Sequence, residues 1–266
     1  MLVNGETKDN KNQLKPTYFL EPPPEKPDET TALIILNCPI SGCEYFHRLY
    51  QHSAFCLCVD GGANRLHDVL KAQYPRLQSL DALRQALPDA IHGDLDSLKD
   101  NVRQLYEEAD VEITEDPDQY STDFDKAMKK VTERLPNVET ILVLGSIGGR
   151  VDQGIGLLHE LYSQQRDRGS NVQLWLFSEA SVSTVIQPGS TTIETPLKTG
   201  LIERNMGILP LYGPANITTK GLEWDVEDWP TEMGGQVSTS NHIVADRITI
   251  TTDRHVLFTV ERAIER

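Results

Sequence analysis

Apolar positions along this 266-residue chain show two textures that change past its middle. In the first, short continuous apolar runs alternate with stretches of helical periodicity. The runs are Thr31–Asn37, Ala54–Val59, Ala90–Ile91 and Thr140–Leu144, the kind found in strands covered on both faces. Between and after them, Glu44–Gln51, Ala63–Ala72, Lys99–Ala109, Asp123–Arg134 and Val151–Arg168 carry apolar residues at helical spacing. Strand and helix in alternation predict right-handed βαβ units and an α/β fold with a mainly parallel sheet flanked by helices.

From Asn171 onward convincing helical periodicity is absent. Short β-rich runs, Val172–Phe177, Val182–Ile186, Asn216–Thr219 and Arg247–Thr252, are separated by turn signals such as Gln187-Pro-Gly189, Tyr212-Gly-Pro214 and Gly234-Gly235. This predicts an all-β sandwich. Met1 to Thr30 is polar and contains Glu21-Pro-Pro-Pro-Glu-Lys-Pro27, too little apolar surface to offset ordering entropy. The expected organisation is therefore a disordered or loosely packed arm over 1–30, an α/β domain over 31–170 and a β-sandwich over 171–266.

Composition is ordinary for a globular protein, with 38% hydrophobic and 24% charged residues. Charge is not: 40 Asp and Glu oppose 25 Lys and Arg, a formal net charge of −15. Extended binding to a nucleic-acid backbone or an anionic membrane is disfavoured, and an anionic substrate would need metal ions or a few local cations. No apolar stretch approaches the ~20 residues needed to cross a bilayer, and the N-terminus lacks a signal-peptide core. A cytoplasmic protein is expected. Cys38, Cys43, Cys56 and Cys58 match a zinc site in number, but Cys56 and Cys58 fall two apart in an apolar strand. Reduced, buried thiols are the expectation.

Candidate chemistry collects at strand ends. Asp60 closes one apolar run and is followed by Gly61-Gly62; Asp94 and Asp96 follow the next in His92-Gly-Asp-Leu-Asp-Ser97. In open α/β sheets that edge is where ligands bind. Asp123 and Asp125 lie in Ser121-Thr-Asp-Phe-Asp-Lys126, which reads as a helix N-terminus capped by Ser121 or Thr122. Converging carboxylates without a matching His or Cys set suit Mg²⁺. A Gly-rich turn, Leu144-Gly-Ser-Ile-Gly-Gly-Arg-Val-Asp-Gln153, leads from strand to helix, where backbone amides and Arg150 could hold phosphate. It matches neither the Rossmann nor the P-loop spacing. In the β-rich part, Val237-Ser-Thr-Ser-Asn-His242, with Trp224 upstream, offers polar groups and an aromatic plate for a flat organic ligand.

Together these motifs resemble eukaryotic thiamine pyrophosphokinases. Six occur in the family's order: Val59-Asp-Gly-Gly-Ala-Asn-Arg65, His92–Ser97, Pro117-Asp-Gln119 with Ser121–Lys126, Gly148-Gly-Arg-Val-Asp-Gln153, Thr218-Thr-Lys-Gly-Leu-Glu-Trp224, and Val237–Asn241. The resemblance implies transfer of a pyrophosphoryl group from ATP to the hydroxyethyl oxygen of thiamine, with Mg²⁺, in a homodimer whose active sites are built across the subunit interface. It implies an ATP- and Mg²⁺-binding catalytic α/β domain and a thiamine-binding sandwich. Asp94, Asp96 and Asp60 would form the metal site, and with Asp123 the catalytic acids. Gln119, Asp123, Lys126, Gly149, Arg150, Asp152 and Gln153 would bind ATP and its phosphates. Trp224, Ser238, Ser240 and Asn241 would hold thiamine. Asp123, with Asp96 second, is the candidate acceptor of the thiamine hydroxyl proton.

Bacterial members usually carry His at the position of Gln153, which places this chain nearer the fungal and animal type. The arm before Thr31 and the stretch from Lys71 to Ala90 lie outside the shared motifs and receive no role. An Asp-x-Asp pair also serves nucleotide-sugar glycosyltransferases and haloacid-dehalogenase-like phosphatases. The former would not explain the Gly-Gly-Arg turn or the Ser-Thr-Ser-Asn segment, and the latter place the pair after the first core strand. A non-catalytic thiamine sensor on the same fold is the remaining alternative.

Overall fold

A computed structural model describes residues 13–118, 120–167 and 172–264. They divide into two compact units, Phe19–Thr184 and a second formed by 13–18 together with the chain from Val185.

In chain order the strands and helices begin with β1 (Gln13–Leu14), β2 (Asp28–Ile35), α1 (Cys43–His52), β3 (Ser53–Val59), α2 (Gly62–Gln73) and α3 (Ser79–Leu83). There follow β4 (Ala90–Gly93), α4 (Asp100–Glu108), β5 (Glu112–Glu115), α5 (Asp123–Arg134), β6 (Thr140–Leu144), α6 (Val151–Asp167), β7 (Gln173–Phe177) and β8 (Ser181–Ile186). The rest is β-structure: β9 (Gly189–Glu194), β10 (Ile202–Leu209), β11 (Ala215–Lys220), β12 (Trp229–Thr231), β13 (Ser238–His242), β14 (Arg247–Thr252) and β15 (Val256–Arg262).

The α/β unit is built on parallel strands in the order β7-β6-β2-β3-β4-β5, with β8 antiparallel to β7. The central pairings align Leu33 with Cys56 on one side and Leu142 on the other, and all three are buried. Continuous apolar runs are what a strand covered by helices on both faces requires. Helices α1 and α2 pack on β2 and β3, α5 on β3 and β4, and α6 on β7. The first strand, β2, has later strands on both sides, so the sheet reverses its order there, and the carboxyl edge beside it is the ligand-binding crevice of a doubly wound sheet.

The second unit is a β-sandwich of β1-β9-β14-β11-β12 and β13-β10-β15. Its alternating strands bury Ile193, Ile217, Ile248 and Ile250 from one sheet and Ile208, Phe258 and Val260 from the other. Each of the five expected helices forms, and so does each expected strand.

Three expectations change. The arm over 1–30 lies outside the described residues as far as 12, but from Gln13 it is structured: β1 runs parallel to β9. Thr17, Phe19 and Leu20 are buried, with Phe19 edge-on to His52 and Phe177 at centroid distances of 5.6 and 6.3 Å. One aromatic and one leucine at the end of a polar tract are enough to dock it. The expected boundary at 170/171 falls outside the described residues; the compact units part at Thr184 instead, because β7 continues the parallel sheet and β8 returns along it. Between Lys71 and Ala90, α3 buries Ala82 and Leu83, so this stretch is packed rather than loose.

Candidate active site

Asp60, Asp94 and Asp96 leave the carboxyl ends of adjacent strands β3 and β4. Asp60 has φ 44°, a left-handed conformation that Asp tolerates better than most residues, and it turns the chain directly into α2. Gly62 must be glycine for space: a Cβ there would lie 2.3 Å from the carbonyl oxygen of Ile35. Helix α2 thus starts hard against β2. The backbone N–H of Asp60 donates to the His92 carbonyl at 3.1 Å, tying the two strand ends together.

The loop carrying Asp94 and Asp96 is fastened from two directions. Ser97 N–H donates to both Asp60 carboxylate oxygens, at 3.1 and 3.3 Å. From α2, Asn64 Nδ2 donates to the Ser97 carbonyl at 2.7 Å and its Oδ1 accepts from Lys99 N–H at 3.1 Å. Within the loop Leu95 has φ 63°, Asp96 N–H donates to Asp94 Oδ1 at 3.3 Å and Ser97 Oγ to Asp96 Oδ1 at 2.9 Å. One oxygen from each of Asp60, Asp94 and Asp96 comes within 4.8 Å of the other two. Asp60 is buried, Asp94 half-buried and Asp96 exposed, so the cluster opens to solvent on one side.

Asp123 belongs to the same electrostatic neighbourhood. It is the first residue of α5, whose N-cap Thr122 accepts the Asp125 N–H. Burial pushes the Asp123 carboxyl up, the Asp94 charge pushes it further, Lys126 opposes, and Asp60 and Asp96 add to the rise. Burial likewise raises Asp60, against hydrogen bonds from Ser97 and Gly61 and with repulsion from Asp94. These are hard oxygen donors held together at an energetic cost that a cation would relieve, and the set fits a divalent ion of the Mg²⁺ type.

Lys126 lies on the same turn of α5 as Asp123. Its side chain is only 2% exposed; Nζ donates to the Asp116 carbonyl at 3.0 Å and lies 3.9 Å from Asp123 Oδ1. It thus braces the Asp116 backbone from inside. Gln119 lies outside the described residues. Gly149 and Arg150 are exposed on the turn that enters α6, and Asp152 and Gln153 are exposed in the first turn of that helix, with Gly149 at φ 70°. Arg150 is paired with Asp152, Nε to Oδ1 at 3.1 Å, which holds the Asp152 carboxyl below its usual range.

In the β-sandwich unit a cavity of about 200 Å³ is lined by Ile217, Thr219, Trp224, Trp229, Ser238 and Ser240, among others. Asn241 also lines it, but its amide is committed to the chain: Nδ2 donates to the Trp224 carbonyl at 3.0 Å, and Oδ1 accepts from Trp224 and His242 N–H at 3.3 and 2.8 Å. Trp224 stays 55% exposed. Two indoles, aliphatic walls and serine hydroxyls suit a flat, partly polar ring system.

The structure also identifies residues that sequence reasoning left without a role. Asn64 and Ser97 lie inside motifs already singled out, so the signal was present. Trp229 and Ile217 line the cavity without any motif to mark them.

An acid-edged, doubly wound sheet followed in the chain by a β-sandwich with an aromatic cavity defines a two-unit protein with a candidate cation site and a candidate organic-ligand cavity. Family descriptions agree: "Thiamin pyrophosphokinase, catalytic domain" matches residues 46–174 and "Thiamin pyrophosphokinase, vitamin B1 binding domain" matches 190–257. The chain belongs to the thiamine pyrophosphokinase family. It is 32% identical to thiamine pyrophosphokinase 1 of Arabidopsis thaliana over 88% of each chain. It is 29% identical to the Saccharomyces cerevisiae enzyme, over 90% of this chain and 88% of that one. The yeast crystal structure superposes with a TM-score of 0.81 at 26% identity, covering 98% of this chain and 94% of the other. The Candida albicans structure gives 0.79 at the same identity, covering 94% and 93%.

Proposed function

We propose that this protein transfers the pyrophosphoryl group of ATP to thiamine, giving thiamine diphosphate and AMP. The bond formed joins the hydroxyethyl oxygen of thiamine to the β-phosphorus, and the bond broken releases AMP. The observation that carries this reading is the convergence of Asp60, Asp94 and Asp96 at one sheet edge, in a chain of this family.

In this reading Asp60, Asp94 and Asp96 hold Mg²⁺, which when bound offsets the charge of the triphosphate. Asp123 accepts the proton of the thiamine hydroxyl; a carboxyl raised by burial and neighbouring charge is a better base than an ordinary one, and Asp96 is the second candidate. Gly149, Arg150, Asp152 and Gln153 form the phosphate-facing turn, joined by Gln119. Arg150 exchanges its Asp152 partner for phosphate oxygens, a bidentate geometry for which guanidinium is suited. Lys126 positions Asp123. Trp224, Ser238 and Ser240 hold thiamine, with Asn241 acting through the Trp224 backbone. Positioning and charge neutralisation are most of what such a transfer requires.

Two copies would assemble so that the β-sandwich of one completes the site of the other. Mixing Asp94→Asn and Trp224→Ala chains, each inactive alone, would then restore activity. We place the reaction in the cytoplasm, where four unpaired cysteines are at home. Among the described residues no helix is long and apolar enough to cross a membrane.

The test is to incubate the protein with MgATP, with and without thiamine, and separate the nucleotides. Thiamine-dependent AMP in equal amount to thiamine diphosphate is expected. ADP with thiamine monophosphate would make the assigned reaction wrong, and thiamine binding without turnover would favour a sensor.

A further inference from the structure

Trp224 forms part of the cavity wall in the β-sandwich unit, and its immediate support is a pair of side chains with no role so far. The His242 ring packs against the indole at a centroid distance of 5.1 Å and an interplanar angle of 41°. His242 is not among the residues that line the cavity. Its Nδ1 is 2.6 Å from Glu223 Oε2, so the carboxylate restrains the imidazole's rotation while the indole packs against it at a tilt. The two strand segments are themselves locked: Glu223 N–H donates to the His242 carbonyl at 2.8 Å, Leu222 bridges Ile243, and Asn241 holds the Trp224 backbone at both polar atoms.

The backbone of Trp224 is therefore set by Asn241, but its side chain is not set by burial, since the residue is 55% exposed. A largely exposed indole has several rotamers open to it. The contact with the His242 ring favours one of them. Glu223 lies in the β11–β12 connection and His242 at the end of β13, so a carboxylate–imidazole–indole series of contacts connects both segments.

We propose that His242, oriented by Glu223, is a positioning residue that holds Trp224 as a preformed wall of the cavity and so sets affinity for a flat, cationic heteroaromatic ligand. The proposal rests on the reading of this cavity as the thiamine subsite. An indole face attracts a cationic ring by its quadrupole, and a preformed plate spares the ordering cost of stopping its rotation when the ligand arrives. Because His242 acts through Trp224, its loss changes ligand affinity rather than the chemical step.

The test uses the full-length protein and thiamine as the probe. His242→Ala is expected to raise the dissociation constant for thiamine, measured by isothermal titration calorimetry without ATP, by about tenfold, with KM for thiamine following and with kcat and KM for ATP little changed. His242→Phe, which keeps a ring behind the indole, should recover most of the loss, and Glu223→Ala should show an intermediate one. Wild-type thiamine affinity in His242→Ala would overturn the proposal, as would a loss that falls equally on kcat. Trp224→Ala separates the two readings. If it weakens thiamine binding while His242→Ala does not, positioning by His242 is wrong and the cavity stands; if neither variant affects binding, the subsite reading fails and the proposal with it. Should His242→Ala fold poorly, His242→Phe and His242→Leu compared at equal thermal stability answer the same question, a wild-type affinity for both counting against it.

Discussion

Asp60 takes the amide of Ser97 on both carboxylate oxygens, at 3.1 and 3.3 Å. A buried acid at the end of one strand is thereby used to pin the loop that carries two further acids from the next. The arrangement concentrates negative charge, and the hydrogen bonds that assemble it do not neutralise it.

Relief of that repulsion by a cation is the first consequence that can be measured. Mg²⁺ binding only to the folded chain should raise its melting temperature, with about 2.7 kcal/mol of stabilisation at roughly a hundredfold excess over the dissociation constant. Asp94→Asn removes one donor and some of the repulsion. It should be as stable as wild type or more so without metal, lose most of the Mg²⁺-dependent rise, and lower kcat about a hundredfold or more. Equal Mg²⁺ shifts in both proteins, followed by differential scanning fluorimetry, would remove Asp94 from the metal site.

Asn64 supplies the second fastening of the same loop and is 5% exposed, so both of its hydrogen bonds are sheltered from water. Asn64→Ala should destabilise the protein by about 2 kcal/mol, the scale for leaving buried backbone partners unsatisfied. Activity should fall by more than the lost folded population explains, because the Asp94–Ser97 turn is no longer held at its far end. Chemical denaturation and steady-state kinetics on the same preparation distinguish the two effects; a variant with unchanged kcat would show that Asp60 alone suffices to place the loop.

The central elements of this site were legible in the sequence because each has a local cause. Parallel strands covered on both faces read as continuous apolar runs, and acids with adjacent glycines mark their ends. The edge strand β5, Glu112-Ile-Thr-Glu115, was not legible, since its four residues are half acidic and carry a single aliphatic side chain. The docking of Phe19 and Leu20 depends on tertiary contacts that no local pattern announces. The sequence places a lysine one turn after Asp123, but only packing decides that it points inward to the Asp116 carbonyl. Trp229 enters the cavity through the pairing of β12 with β11, a register that its own residues do not specify.

Thiol accessibility gives a third prediction. Cys43, Cys56 and Cys58 are buried, and Cys38 is half-buried at the end of β2, with its Sγ 3.7 Å from the Gly148 carbonyl oxygen. Burial raises the Cys38 thiol, Arg65 opposing it, so its thiolate fraction at neutral pH is small. A disulfide reagent should label Cys38 slowly in the native protein and the other three only on unfolding. MgATP should slow the Cys38 reaction further, since the neighbouring turn is the proposed phosphate site. Rapid labelling of two or more thiols in the native protein would contradict the burial of Cys43 at the start of α1 or of Cys56 and Cys58 in β3.

The last prediction concerns pH. Glu112 on β5 accepts from Lys130 Nζ at 2.6 Å and from Arg134 Nη1 at 2.7 Å, both on α5. Its carboxyl is held below the usual range, first by the Lys130 hydrogen bond and then by the charges of Lys130 and Arg134. A carboxyl lowered in the folded state stabilises fully above its unfolded value, about 4.3, and loses that contribution as pH falls through the lower, folded value. The site is partly open to water, so solvent screening keeps the contribution to about 0.5–1 kcal/mol. Glu112→Gln should therefore be less stable than wild type by that amount at neutral pH, in urea titrations at low salt, and the difference should close below about pH 4. Added salt should also narrow it, as expected for charges this near the surface. A gap that stays constant from neutral to acid pH would mean that the side chain contributes through packing on α5 and not through its charge.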